Sequence, residues 1–173
     1  MPWPWLPAFR SARQPPRLRR PDRAVGADAA QPGLSACRHQ EFALKQLEGR
    51  SIKSGRCEGQ ALVSPVSLSF FGGVDAATGI VAEPGHPLQG QSVAGRVLVF
   101  PTAKGSTVGS YILYRLKRAG LAPVGIINVE SEPIVAVGAI IADIPMVDRV
   151  DIAQIQTGDW VTMDGGSVGV QSS

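Results

Sequence analysis

The stretch at residues 97–109, VLVFPTAKGSTVG, constrains the fold of this chain more than any other. Four apolar residues run without interruption and stop at Pro101, as in a strand covered on both faces. A short loop follows. Residues 107–119 then carry Val108, Ile112 and Leu116 four apart, which predicts a helix with one apolar face. Arg115, Lys117 and Arg118 fill its last turn, where cations complement the helix dipole, and Gly120 supplies a stop. A second apolar run at 124–129 completes a strand–helix–strand unit. Units of this kind cross over right-handed almost without exception, so the two strands are predicted to be parallel.

The rest of the body reads mainly as strands. Residues 60–64, 68–71, 147–150 and 160–163 are short apolar runs, most of them bounded by Gly, Pro or Ser. Residues 147–150 and 160–163 are expected to be the closing strands, with Thr157-Gly158-Asp159 as a turn before the latter. Residues 135–141 are apolar but contain Gly138, and fit either a strand or a packed loop, with Pro145 ending the buried segment. The prediction is one α/β domain over residues 41–173, mostly β. With 44% hydrophobic residues, a domain of this size can bury a core. No run of about 18 apolar residues occurs, so no membrane span is expected.

Residues 1–40 have a different texture. They hold seven of the fourteen prolines, and seven arginines against Asp22 and Asp28, a net charge of +5. The remainder holds ten Lys/Arg and twelve Asp/Glu, a net of −2. The basic balance belongs to the tail, so a nucleic-acid-binding face on the domain is not expected. The tail has too little apolar surface to offset its chain entropy and is expected to be a disordered extension. A start codon assigned too far upstream is one source of such a segment. Cys37 and Cys57 make neither a disulfide framework nor a complete metal site. A reduced, cytoplasmic protein is therefore expected, with any metal ligands coming from another chain.

The candidate chemistry sits in the loop after the first buried strand. Ser106 is a natural N-cap, and the first N–H groups of a helix lack partners within it. Gly105 permits close approach to the backbone, and Lys104 adds positive charge. Together they suit a carboxylate or phosphate, and the same field favours an ionised serine. The stretch is not a phosphate-binding P-loop, because Lys104 precedes Gly105 and GxxxxGK[ST] is absent. On these residues alone an N-cap without catalytic duty is the simpler reading, since no His or Asp neighbours the serine. A second stretch, SFFGGVDAATG at 69–79, contains Gly72-Gly73 for a sharp turn and Asp75 for an Asx turn. It fits a hairpin-like loop, or a loop lying against a substrate or partner. His86, in Pro-Gly-His-Pro, reads as a loop residue.

Three segments in order, SFFGGVDAATGIV, PLQGQSVAGRVLVFPTAKGSTVGSYIL and IINVESEPIVAVGAIIADIPMV, strongly resemble the small subunit of aconitase X. The resemblance covers about residues 50–170 and omits the tail. That family includes archaeal phosphomevalonate dehydratase small subunits and bacterial cis-3-hydroxy-L-proline dehydratases. The resemblance implies a swivelling β/β/α domain that works as a heterodimer with an aconitase X-type large subunit. It also implies an iron–sulfur cluster held by the large subunit's own cysteines, with none bound by this chain. The iron would act as a Lewis acid on the leaving hydroxyl of a small hydroxy acid. The family's proton acceptor is the first serine of its Gly-[Lys/Arg]-Gly-Ser-Ser stretch, which matches Ser106. Lys104, Gly105 and Thr107, with Gly72 and Gly73, are then the expected substrate-binding positions. Ala103 stands where Gly is common, Thr107 where the second Ser stands, and Phe71 where Trp is frequent. The Ala/Gly/Arg-rich composition suggests a high-GC bacterial source and favours the hydroxyproline branch, with mevalonate 5-phosphate as the alternative. A non-catalytic anion- or partner-binding module built on the same site is the rival from another class.

Overall fold

The strand predicted at the heart of the sheet is there, and it organises everything else. The computed structural model describes residues 44–173 and contains, in chain order, β1 (Leu44–Glu48), β2 (Arg50–Lys53), β3 (Arg56–Val63), β4 (Val97–Phe100), α1 (Val108–Arg118), β5 (Gly125–Asn128), α2 (Pro133–Ile141), β6 (Met146–Asp148), β7 (Trp160–Asp164) and β8 (Ser167–Gln171). All four residues of β4 are fully buried. It pairs in parallel with β3 on one side and β5 on the other, and β5 pairs in parallel with β6. The β4–α1–β5 unit therefore has the parallel strands the sequence predicts, and β5–α2–β6 repeats it.

The eight strands lie in the order β1-β8-β7-β3-β4-β5-β6-β2. β3 serves two neighbours: Arg56 to Gln60 run antiparallel to β7, and Ala61 to Val63 run parallel to β4. The edge strands β1 and β2 are separated in the chain by Gly49 alone, so the sheet curls until its two edges come together. The Gly49 N–H donates to the Gly166 carbonyl at 2.8 Å. A Cβ at Gly49 would lie 2.5 Å from the Asp148 carbonyl oxygen, so this corner requires glycine.

Alternation along the strands makes two cores. Val97, Val99, Ile127, Val147, Val161 and Val168 fill the interior of the curl. Leu98, Phe100, Ile126 and Met146 point the other way, where Leu113 and Leu116 of α1, Val135 and Ala139 of α2, and loop residues from 68–93 cover them. Arg50, Asp148 and Ser131 pin one end of this arrangement. The fully buried Asp148 carboxylate accepts from Arg50 Nε at 3.0 Å and Nη2 at 2.7 Å, and from Ser131 Oγ at 2.6 Å. The hydrogen bond from Arg50 holds the Asp148 carboxyl below the usual carboxylate range, burial opposes it, and Ser131 adds to the depression. A depressed folded-state value means that this stabilisation is present above the unfolded carboxyl value, about 4, and is lost as pH falls through the folded one. Asp148→Asn should therefore melt below the wild type at pH 7, with the gap narrowing below about pH 4. Thermal melts across pH check this; parallel curves would contradict it.

Several expectations are corrected. Residues 135–141 belong to a helix, opened by Pro133 where a helix start tolerates proline. Gly138 serves helix packing: a Cβ there would lie 2.7 Å from Leu113 Cδ1 and 3.1 Å from the Ser110 Cα. Residues 68–71 form no strand beyond a single bridge between Leu68 and Ala103. The buried face of α1 is Ile112, Leu113 and Leu116, while Val108 is exposed. β7 does not close the sheet, because β8 follows and pairs with it. His86 is in a turn, as expected, yet is buried, with Nδ1 accepting from the Leu88 N–H at 3.1 Å. The extension expected at residues 1–40, with Cys37, lies outside the described residues. Among the described residues no helix is long and apolar enough to cross a membrane.

Candidate functional site

The site lies where β4 ends and the chain turns into α1, at the carboxyl end of the parallel strands, the edge at which α/β sheets bind ligands. Its base is fixed by backbone. The Pro101 carbonyl accepts from the N–H groups of Val129 and Glu130, both at 3.0 Å, and Asn128 Nδ2 donates to the Phe100 carbonyl at 2.8 Å. Beyond Pro101 the loop is braced by Leu68, the residue just before the second motif: Lys104 N–H donates to Leu68 O at 3.1 Å, and Leu68 N–H to Thr102 O at 3.3 Å. Gly105 has φ +117°, and a Cβ there would lie 3.0 Å from Ser69 Oγ, so only glycine suits the position.

Ser106 follows, exposed, but it is not the N-cap expected from sequence. Thr107 occupies the cap position, already in helical conformation (φ −53°, ψ −22°), and its side chain makes no capping hydrogen bond. The only bond that Ser106 Oγ accepts among the described residues is a long one from the Val108 N–H at 3.4 Å. The hydroxyl is thus barely engaged in holding the helix start. The N–H groups of Gly105, Ser106 and Thr107 make no hydrogen bond among the described residues. An oxygen anion placed here would meet backbone donors and the positive end of a helix of eleven residues.

Ser106 and Lys104 line one depression together with Phe70, Glu132 and Val135. Its volume is about 10 Å³, no more than one water needs. Thr107 instead lines an adjoining open groove of about 480 Å³ between α1 and α2, with Tyr111, Ile134, Val137 and Ile141. Ile134 belongs to both. Gly72 and Gly73 line neither; they shape the loop behind. Gly72 takes φ +77°, and a Cβ on Gly73 would fall 2.1 Å from Ser69 O. Asp75 forms the expected Asx turn, accepting from the Ala77 N–H at 2.9 Å.

Lys104 differs most from expectation. Its ammonium is not a bare cation but lies 2.6 Å from Glu83 Oε1. The hydrogen bond from Lys104 holds the Glu83 carboxyl below the usual range, against the effect of burial. Sequence reasoning missed Glu83 and Glu132, because neither stands in a recognisable spacing with the serine. The only sequence signal for Glu83 was the turn chemistry at 72–79, which folds residues 81–83 back against Gly73.

Among the described residues no three His, Cys, Asp or Glu side chains gather as a metal site. Cys57 is half-buried, and burial pushes its thiol up to about 11, away from the thiolate a metal needs. These residues do not fit an iron–sulfur cluster. They offer an exposed hydroxyl among backbone donors, with a lysine ion-paired to Glu83 lining the same recess, which is too small for a substrate.

Comparison with known proteins gives this geometry a family. The aconitase X swivel domain profile matches residues 46–171. The phosphomevalonate dehydratase small subunit of Methanocella arvoryzae is 55% identical over 123 residues, covering 69% of this chain and 93% of the relative. That of Thermococcus kodakarensis is 54% identical over 122 residues, covering 70% and 92%. The crystal structure of Thermococcus kodakaraensis aconitase X in its holo-form superposes with a TM-score of 0.73 at 52% identity, covering 74% of this chain and 99% of the matched one. With the mixed eight-stranded sheet and two helices of its described residues and this match over most of its length, the chain belongs to the aconitase X swivel domain family.

Proposed function

We propose that this chain is the small subunit of a phosphomevalonate dehydratase, a hydro-lyase, and that Ser106 is its proton acceptor. One observation carries the reading: an exposed serine hydroxyl, almost free of capping duty, stands at a helix start in a recess too small to hold a substrate alone. Ser106 as alkoxide takes a proton from the substrate carbon next to an electron-withdrawing group, the hydroxyl on the adjacent carbon leaves as the C=C bond forms, and the proton and hydroxide together make the water that is lost. The N–H groups at the helix start and the nearby Lys104 favour the anionic serine. Gly105 and Thr107 set the backbone around it. The large subunit supplies the remaining wall of the pocket and the iron–sulfur cluster, and the pair works in the cytoplasm without nucleic acid.

The substrate follows the relatives. Composition favours cis-3-hydroxy-L-proline, but the relatives at 54–55% identity bear the phosphomevalonate name, and sequence identity outweighs composition. Assay of the reconstituted pair with both compounds tests this. Water should be eliminated from mevalonate 5-phosphate. Turnover confined to cis-3-hydroxy-L-proline would overturn the substrate, and turnover of neither would favour a binding module.

The need for a large subunit is supported by the surface beside the site. Tyr111, Val137 and Ile141 are each about half exposed or more, along the groove that shares Ile134 with the Ser106 recess. Apolar surface gathered in one patch marks an interaction face. A partner closing over the serine would cover this groove in the same movement. Val137→Asp should weaken copurification with the large subunit at least tenfold while leaving the melting temperature of the free small subunit within about 2 °C. Undiminished copurification would remove this face from the interface.

A further inference from the structure

We infer that Glu83 is a positioning residue for the reaction, acting through Lys104 to fix the charge beside Ser106. The inference rests on the proposed role of Ser106 and adds a residue that the family motif does not contain. Three observations converge on Glu83. Its Oε1 lies 2.6 Å from Lys104 Nζ, and Lys104 lines the recess with Ser106. Its other oxygen, Oε2, is buried and accepts no well-formed hydrogen bond among the described residues, though the Ser69 backbone N–H helps to hold the carboxyl below its usual range. Its backbone is held in place by Gly73, whose carbonyl accepts from the N–H groups of Ala82 at 2.8 Å and Glu83 at 3.3 Å.

The close packing shows why the carboxylate cannot wander. A Cβ on Gly73 would lie 3.1 Å from Glu83 Oε2 and would collide with Ser69 O, so the absence of a side chain lets the carboxylate tuck under the loop. Ser69 in turn packs on Gly105, the residue before the serine. The two motifs, far apart in the chain, thus become one assembly running from Gly73 through Glu83 and Lys104 to the Ser106 loop.

The pairing also changes what Lys104 can do. A long, half-exposed lysine alone would sample many rotamers, and ordering it at the moment of reaction costs entropy. Held by Glu83, the ammonium is ordered beforehand. The pair is neutral, and Glu132 adds a negative charge to the same recess. Lys104 thus acts on the serine as the positive end of a fixed Lys104–Glu83 pair rather than as a free cation.

A double-mutant cycle in the reconstituted complex tests the inference, read as kcat and KM separately. Glu83→Gln and Lys104→Met should each lower kcat about 10- to 100-fold, the range seen when a supporting partner is removed from a working group. KM should stay within about threefold, and the double variant should be no worse than Lys104→Met alone. Glu83→Asp, which keeps the charge with a shorter reach, should recover part of the loss. Melting temperature and copurification are followed for every variant; if Glu83→Gln loosens the loop, the Glu83→Asp and Lys104→Met cycle reads the same coupling. Wild-type kcat in Glu83→Gln, losses that multiply, or a KM effect without a kcat effect would each overturn the role of Glu83. Ser106→Ala in the same series keeps the parent reading separate: full activity there rejects the serine base, whatever the cycle shows.

Discussion

Ser106→Ala, reconstituted with the large subunit, is expected to lose about 10³-fold in kcat while the complex still assembles. The substitution removes one oxygen from an exposed position and disturbs almost nothing else. The Ser106 hydroxyl contributes only a long bond to the helix start, and the backbone bonds around it, such as Gly109 N–H to Ser106 O at 2.8 Å, do not involve the side chain. A serine acting only as a cap would cost stability of about 1 kcal/mol on truncation and leave chemistry intact. The two roles therefore separate in one pair of measurements. A large fall in kcat at unchanged melting temperature supports the base. Near-normal kcat would reject the base whatever the melting temperature does.

Phe100→Ala is expected to cost about 3–5 kcal/mol of folding stability. Phe100 is fully buried at the end of β4, and its ring meets that of Phe70 edge-on at 6.1 Å with an interplanar angle of 66°. Phe70 in turn lines the Ser106 recess. Truncation would leave a cavity directly beneath the loop that presents the serine. Phe71, next in the chain to Phe70, is 54% exposed, and Phe71→Ala should change stability by no more than about 0.5 kcal/mol. Urea titrations of the isolated small subunit check both; equal effects would contradict this view of the core.

Adjacent phenylalanines with opposite fates show where sequence reading stops. Buried parallel strands declare themselves because both faces are apolar, so β4 and β5 were legible, as was α1 between them. α2 was not, because it is apolar on nearly every side and has no 3.6-residue rhythm to betray it. β1, β2 and β8 are short strands carrying much polar sequence, and the closing of the sheet through Gly49 depends on long-range pairing that no local pattern announces. At the site, the strand–loop–helix turn was legible and the cap was misplaced by one residue. Glu83 was invisible for a physical reason: it reaches Lys104 only because the Gly72-Gly73 turn and the bridge between Val74 and Val81 fold its strand back.

The central claim is that this chain is half of an active site. Mixing purified small and large subunits and following elimination of water from mevalonate 5-phosphate tests it most directly. Neither subunit alone should turn over, and adding the small subunit to a fixed amount of the large one should raise activity to a plateau, with the Ser106→Ala form raising it hardly at all. Full turnover by the large subunit alone would contradict the claim.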